Sequence, residues 1–160
     1  MKPQALAPYT FRPATVDDGP DMLALLPELA GFELPPARQP EHLWHGDAAL
    51  IEDWLKGSLP EAFGVVAQSA PGAFCGFAFV TLREELLSHA PSAHLEVLVV
   101  RPQSRRDGVG AALCRQAHDE ARRRGASSMT LHVFANNVRA RALYAKLGYE
   151  EELIRAIRYL

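Results

Sequence analysis

Only two cysteines, Cys75 and Cys114, occur in the 160 residues. That is too few for a disulfide framework and fits a reducing compartment. The opening stretch MKPQALAPYTFRP contains no long apolar run. Neither a signal peptide nor a membrane anchor is therefore expected there, no membrane partner is expected, and the cytoplasm is the expected compartment. No internal repeat, low-complexity tract or linker interrupts the chain. Residues 1–160 accordingly read as one domain, long enough to bury a core without disulfide or metal. The basic residues lack the interleaved aromatics of a single-strand groove, which argues against a nucleic-acid partner. No Gly-Lys-Ser/Thr follows a glycine loop, so a Walker-type nucleotide site is excluded.

The charge that is present is unevenly spread. The formal net charge is −2, yet residues 1–90 hold 12 acidic and 5 basic side chains, a net of −7. Residues 91–160 hold 7 acidic and 12 basic ones, a net of +5. A basic half suits a polyanionic ligand and an acidic half attracts a cation, although two differently decorated solvated faces would give the same numbers.

Periodicity lays out the elements. Tyr9–Arg12 reads as a short strand, and Thr15 with Asp18 as a capping box or acidic helix start. Met22, Leu23, Leu26, Leu29 and Ala30 follow at helical spacing, with Pro27 set to kink or split that helix. A proline-rich loop runs from Gly31 to Pro40, and a second helix is predicted from about Glu41 to Leu55. The period then shortens: Phe63–Ala67 and Phe74–Leu82 read as strands joined by the turn signal Ser69-Ala70-Pro71-Gly72. A loop is expected near His89–Ser92, followed by a strand over Leu95–Val100. The stretch Gly108–Arg124 predicts an amphipathic helix with Val109, Ala112, Leu113, Ala117 and Ala121 on one face, Asp119 and Arg123 a turn apart on the other, and Gly125 behind it. Met129–Phe134 reads as another strand, Val138–Leu147 as a helix closed by Gly148, and Tyr149–Leu160 as one or two closing strands. Strands and helices alternate only in the second half, which predicts a mixed α/β or α+β sheet.

The most informative stretch is the strand that ends at Val100, the loop Arg105-x-x-Gly108-x-Gly110, and the helix that begins at once. Glycines let a ligand approach the backbone, and N–H groups at a helix N-terminus converge on an anion. Such a cradle suits a pyrophosphate, with Arg105 or Arg106 adding charge; the alternative is a tight turn that needs glycine dihedrals. A dinucleotide fingerprint would require a third glycine where Leu113 stands. Twenty-seven residues beyond Gly110 comes Asn137-Val-Arg-Ala140-Arg-Ala-Leu-Tyr144-Ala-Lys-Leu-Gly148-Tyr149.

Together these stretches resemble the two hallmarks of the GNAT acyltransferase superfamily: Arg/Gln-x-x-Gly-x-Gly/Ala between a strand and a helix, then Asn-x-x-Ala-x-x-x-Tyr ending in glycine and an aromatic. Phe11-Arg-Pro-Ala-Thr15 is similar to the family's opening, so the resemblance covers nearly the whole chain. It implies a GNAT-like central sheet, mixed, mostly antiparallel and splayed, flanked by helices. Many members carry glycine where Arg106 stands, and Asp107 adds a negative charge near the presumed phosphates. The resemblance further implies acetyl-CoA as co-substrate. Its pyrophosphate would be held by backbone N–H groups of Arg105, Arg106, Asp107, Gly108, Val109, Gly110 and Ala111. Its pantetheine arm would pair with the strand at Leu98 and Val100, with Asn137 bonding the arm. An N–H near Leu98 would stabilise the oxyanion.

The implied reaction is attack of an amine on a thioester. An alkyl ammonium has a pKa of about 10.4, so a proton must leave first. Glu96 stands where several members have their general base, and apolar neighbours Leu95 and Val97 would raise its pKa; an exposed or cation-paired glutamate is the other reading. Tyr144 matches the family's general acid, or is a packed aromatic. Cys114 and His118, one turn apart, read better as a buried inert thiol and its neighbour than as nucleophile and base. His42, His45 and Asp47 lack a further ligand pair, and no metal is expected. His94 and Glu96 share a strand face, which would permit a proton relay. Glu33, Trp44 and Asp47 in the acidic half are candidates for the amine side. Glu28-Leu-Ala-Gly-Phe-Glu33 resembles the polyamine and thialysine branch, but Val97 stands where that branch has Asp. The expected acceptor is a small-molecule amine; polyamines are one option beside aminoglycosides, amino acids and protein N-termini. A non-catalytic acyl-CoA-binding module and a protein N-terminal or lysine acetyltransferase are the alternatives. A homodimer is the family's habit.

Overall fold

The computed structural model describes residues 4–6, 8–70 and 72–160, with side chains from residue 8 onward. Ten elements follow in order: β1 (Gln4–Leu6), β2 (Tyr9–Pro13), α1 (Gly19–Leu25), α2 (His45–Leu55), β3 (Phe63–Ser69), β4 (Ala73–Glu84), β5 (Pro91–Val100), α3 (Val109–Arg123), β6 (Met129–Leu131) and α4 (Val138–Lys146). The six strands form one sheet in sequential order. Each neighbouring pair is antiparallel except β5 and β6, which are parallel. A parallel pair needs a crossover, and α3 supplies it.

Helices cover both faces, so β3 to β5 are nearly continuously apolar rather than alternating. On one face Phe11, Val65, Ala78, Val80 and Leu95 pack with Val109, Leu113 and Ala117 of α3. On the other, Val66, Phe77, Phe79, Val97 and Val99 pack with Met22, Leu25 and Leu26 of the α1 region and Ile51 of α2. Phe77 and Phe79 are wholly buried, each contributing about 1.5–3 kcal/mol through the area it removes from water.

Local chemistry sets the helix ends. The backbone N–H of Thr15 donates to the Asp18 carboxylate at 2.8 Å, and the Arg12 guanidinium clasps the same carboxylate at 2.7 and 2.8 Å. Pro27 ends α1 as its sequence predicts: the chain tightens into a 3-10 turn over Leu26–Ala30. Gly125, at φ 92°, follows the last turn of α3, which carries Arg122 and Arg123, the charge that suits a helix C-terminus.

Several sequence expectations need correction. The helix expected over 41–55 begins as a separate 3-10 turn, Pro40–Leu43, because Trp44 leaves the helical region at φ −139°. β5 starts at Pro91, inside the expected loop, since β4 extends to Glu84 and pairs with it. β6 stops at Leu131, three residues short of the expected end. Gly72 takes φ 109° in the turn after β3, while Pro71 lies outside the described residues. The closing strands over Tyr149–Leu160 do not form: residues 149–160 carry no strand, and 150–160 are exposed. Among the described residues no helix is long and apolar enough to cross a membrane.

Candidate active site

β5 and β6 pair only at Ala93–Met129, His94–Thr130 and Leu95–Leu131. Among the described residues the edge of β5 that faces β6 has no strand partner from residue 96 to Val100, so the sheet opens there. The opening coincides with a bulge. Phe79 pairs with Val97 and Val80 with Leu95, which leaves Glu96 as the extra residue. A one-residue insertion inverts the facing of everything beyond it. Leu95 faces α3, but Val97 and Val99 face α1 and α2. Glu96 itself joins Thr81 and Arg83 of β4 on the face of α1 and α2.

The Glu96 carboxylate is not in the apolar surroundings that Leu95 and Val97 suggested. One oxygen, Oε1, accepts the Thr81 hydroxyl at 2.6 Å and the Arg83 guanidinium at 2.6 Å. Its side chain is 14% exposed, against 46% for Arg83. Both contacts fall on one oxygen, so Oε2 remains available to a ligand. Asp47 of α2 lies close enough for the two carboxylates to feel each other. Burial, and then the Glu96 charge, push Asp47 up to about 7. His94 is also on this face. Burial pulls its pKa down to about 4, helped by Arg83 and His132 against the opposing pull of Glu96. The neutral ring meets the Thr130 hydroxyl at 2.7 Å through Nδ1 and lies 4.8 Å from the His132 ring.

At the far end of β5 the chain turns through Pro102–Ser104 into the glycine loop Arg105–Gly110. Arg106 and Gly108 take left-handed φ values of 71° and 80°, and α3 begins at Val109. Among the described residues the backbone N–H groups of Arg106 to Ala111 donate to no protein acceptor; the first closing bond is Ala112 N–H to Gly108 carbonyl at 3.1 Å. Helix N-termini leave donors of this kind for an anion. At Gly110 an added Cβ would stand 3.6 Å from Leu143 and 3.9 Å from Val100, an ordinary contact. Packing therefore tolerates a side chain at 110, and its absence keeps the cradle open.

Two charges behave differently from expectation. Arg105 is turned away from the cradle: Nε donates to the Val100 carbonyl and Nη2 to Glu28, each at 3.0 Å. Asp107 is tied to β2, where the Tyr9 hydroxyl donates to it at 2.6 Å. Arg106 is the exposed cation left on the loop.

α4 packs on the opposite face from Glu96. Tyr144 sits half-buried against the α3 side of the core, edge-on to Tyr149 at 5.6 Å. Burial pushes its phenol well above the ordinary value, with Cys114 adding to the effect. Asn137 caps α4, its side-chain oxygen accepting Ala140 N–H at 3.3 Å. The loop after α1 bridges the open end of the sheet: Phe32 lies 5.6 Å from Phe134, and Asn136 donates to the Glu33 carbonyl at 2.6 Å.

Cys114 is buried, with its thiol pushed up to about 12 by burial. His118 bonds the Tyr149 hydroxyl at 2.7 Å. His42 accepts the Gln39 N–H at 3.0 Å as part of a turn, and among the described residues no three metal-ligating side chains come together. Trp44 stacks edge-on against His45 at 4.7 Å. Thr81, Arg83 and Glu28 were not anticipated as part of this site. Polar Thr81 and Arg83, alternating on an otherwise apolar strand face, were the signal for the first two.

A sheet that parts beside an open row of helix N-terminal donors, with a carboxylate at the parting, is the architecture of acyl-CoA-dependent transferases of the GNAT type. The chain belongs to this family: residues 24–149 match the model described as acetyltransferase (GNAT) family. The chain spans less than two thirds of the length of the curated relatives it matches first. An aminoglycoside N(6')-acetyltransferase type 1 of Serratia marcescens is 30% identical over 95 residues, covering 58% of this chain and 65% of that protein. The ribosomal protein bS18-alanine N-acetyltransferase of Escherichia coli is 41% identical over 58 residues, 36% of this chain and only 39% of the relative. Among solved structures, an acetyl transferase from Pyrococcus furiosus superposes with a TM-score of 0.74 at 20% identity over 95% of this chain and 99% of the other. AAC(6')-Iy, in complex with the bisubstrate analogue CoA-S-monomethyl-acetylneamine, gives 0.72 at 21% identity over 95% and 98%.

Proposed function

We propose that this chain, working as one cytoplasmic domain, transfers the acetyl group of acetyl-CoA to a primary amine of a small cationic molecule. The observation that carries the reading is the bulge at Glu96. It presents a carboxylate to the acidic side of the sheet at the point where β5 parts from β6.

Acetyl-CoA, when bound, supplies the thioester carbonyl and a thiolate leaving group. The N–H row from Arg106 to Ala111 would hold its pyrophosphate. The unpaired edge of β5 at Leu98 and Val100 offers backbone partners to the amide-bearing arm, and the Asn137 amide group would bond that arm. Glu96 Oε2 takes a proton from the incoming ammonium, directly or through a water. The amine nitrogen then bonds to the carbonyl carbon while an N–H near Leu98 stabilises the oxyanion. As the carbon–sulfur bond breaks, Tyr144 donates to the sulfur. Its phenol is held protonated, but a thiol near 8.5 is the stronger acid. The tyrosine thus contributes mainly a hydrogen bond, with solvent completing the proton balance. Asp47 beside Glu96 favours a second positive charge on the acceptor.

Thiol release from acetyl-CoA, measured against polyamines, aminoglycosides, amino acids and short peptides, tests this reading. Turnover with a small cationic amine is the expected result. Turnover with peptides alone would instead favour modification of a protein N-terminus, the reading suggested by the 58-residue likeness to the ribosomal-protein enzyme. No turnover with any of them would overturn the assignment of Glu96.

A further inference from the structure

An acceptor that reaches Glu96 meets an ion pair rather than a lone carboxylate. Arg83 and Thr81 both donate to Oε1, so the pair is fixed from the β4 side and Oε2 stays open. A guanidinium carries five N–H donors in a planar fork. Arg83 uses Nη2 on Glu96, and among the described residues its Nε and Nη1 bond nothing. A half-exposed guanidinium with donors to spare is suited to a carboxylate, which it can take through two parallel bonds.

The pair also selects by charge. A bare ammonium at Oε2 comes close to the Arg83 cation, and the two repel. A zwitterion avoids this: its ammonium meets Oε2 while its carboxylate meets the guanidinium, so the four charges alternate in sign. An α-amino acid holds both groups on one carbon, close enough together to span the neighbouring atoms of a single ion pair. Asp47 of α2 adds a third contact. Burial and the Glu96 charge push it up to about 7, and a second cation beside it favours its ionised form. His94, lowered to about 4 by burial, stays neutral and adds no competing cation.

We infer, on the reading of Glu96 as the base for acetyl transfer, that the acceptor is a basic α-amino acid. Its α-ammonium lies on Glu96 Oε2, its α-carboxylate on the free donors of Arg83, and its side-chain cation beside Asp47. Arg83 is then the residue that sets specificity. The α-ammonium loses two protons, one to Oε2 and from there to solvent, the other ending on the CoA thiolate. Its nitrogen bonds to the carbonyl carbon as the carbon–sulfur bond breaks, which leaves an Nα-acetyl amino acid and free CoA thiol. The product keeps the carboxylate but not the α-cation. Its match to the ion pair is gone, and release follows.

L-Arginine, L-argininamide and agmatine share one primary amine and one guanidinium, and only the first has a carboxylate. Thiol release from acetyl-CoA should give a kcat/KM for arginine about tenfold or more above that of either analogue. In Arg83→Met the ratio should collapse towards one. Arg83→Lys, which keeps the cation but not the fork, should fall between. The ratio compares acceptors on the same protein, so it cancels any loss of folded protein or of base strength in a variant. Agmatine or argininamide turned over as well as arginine overturns the inference, and so does a ratio that survives Arg83→Met. If spermidine or kanamycin turns over and arginine does not, acetyl transfer to an amine stands and the amino-acid assignment falls. If none of these amines turns over, both fall.

Discussion

The Arg105 guanidinium reaches across 77 positions of sequence to Glu28, at 3.0 Å, and so fastens the glycine loop Arg105–Gly110 to the turn that follows α1. The arginine of the hallmark motif is thereby a strut between the two halves of the site. A partly exposed pair of this kind is worth about 0–1 kcal/mol. Glu28→Gln should therefore leave thermal stability nearly unchanged. Arg105→Ala also loses the bond to the Val100 carbonyl and should raise KM for acetyl-CoA severalfold with a smaller change in kcat. Equal effects of the two substitutions on KM would show that the carbonyl bond is idle.

Glu96→Gln keeps the acceptor for Thr81 and Arg83 but removes the proposed base. General-base catalysis contributes about 10²–10⁴, so kcat/KM should fall by at least about tenfold. Tyr144→Phe should cost less, because a phenol raised by burial donates a hydrogen bond more readily than a proton. Steady-state rates at saturating acetyl-CoA separate the two, and an unchanged Glu96→Gln rate would remove that residue from the mechanism.

The pH dependence carries two opposite signs. Asp47, raised to about 7, is protonated more readily folded than unfolded. It therefore subtracts stability as pH rises from about 4 to about 7. Asp47→Asn should raise the melting temperature at pH 8 and change little near pH 4. It should also flatten any inflection near pH 7 in KM for a cationic acceptor. His94, lowered to about 4, contributes stability that is full above its unfolded value of about 6.5 and lost as pH falls towards 4. Melting curves of His94→Gln should lack that acid limb.

Arg106 occupies a left-handed conformation at φ 71°, which costs a side-chain-bearing residue about 1–2 kcal/mol. Arg106→Gly removes that cost but gives back about 0.4–1 kcal/mol of unfolded-chain entropy. A modest net gain in stability should result. Acetyl-CoA binding should weaken and become less sensitive to salt, since Arg106 is the exposed cation of the loop. Calorimetry at two salt concentrations checks both outcomes, and a loss of stability would contradict the strain.

Much of the fold was legible because local rules governed it. Pro27 ended α1, Asp18 capped the turn beside Thr15, and the Arg105-x-x-Gly108-x-Gly110 loop lay between a strand and a helix, as its glycines require. The polar pair Thr81 and Arg83 was visible but had no meaning until β4 was paired. Tyr149–Leu160 read as one or two closing strands, yet a strand exists only where its backbone finds a partner, and residues 149–160 pair with none of the described strands.

The sequence by itself determined the family, the order of elements from β2 to α4 and the glycine loop Arg105–Gly110, since each rests on residue type at short spacing. Tertiary structure decided the chemistry around them. Only register between β4 and β5 makes Glu96 a bulge, and that one-residue offset turns Val97 and Val99 to the α1 and α2 face that His94 and Glu96 already share. Only packing turns Arg105 to Glu28 and Asp107 to Tyr9, because such pairs are separated by 77 and 98 positions in the chain. Pairings of that length depend on which surfaces the sheet brings together.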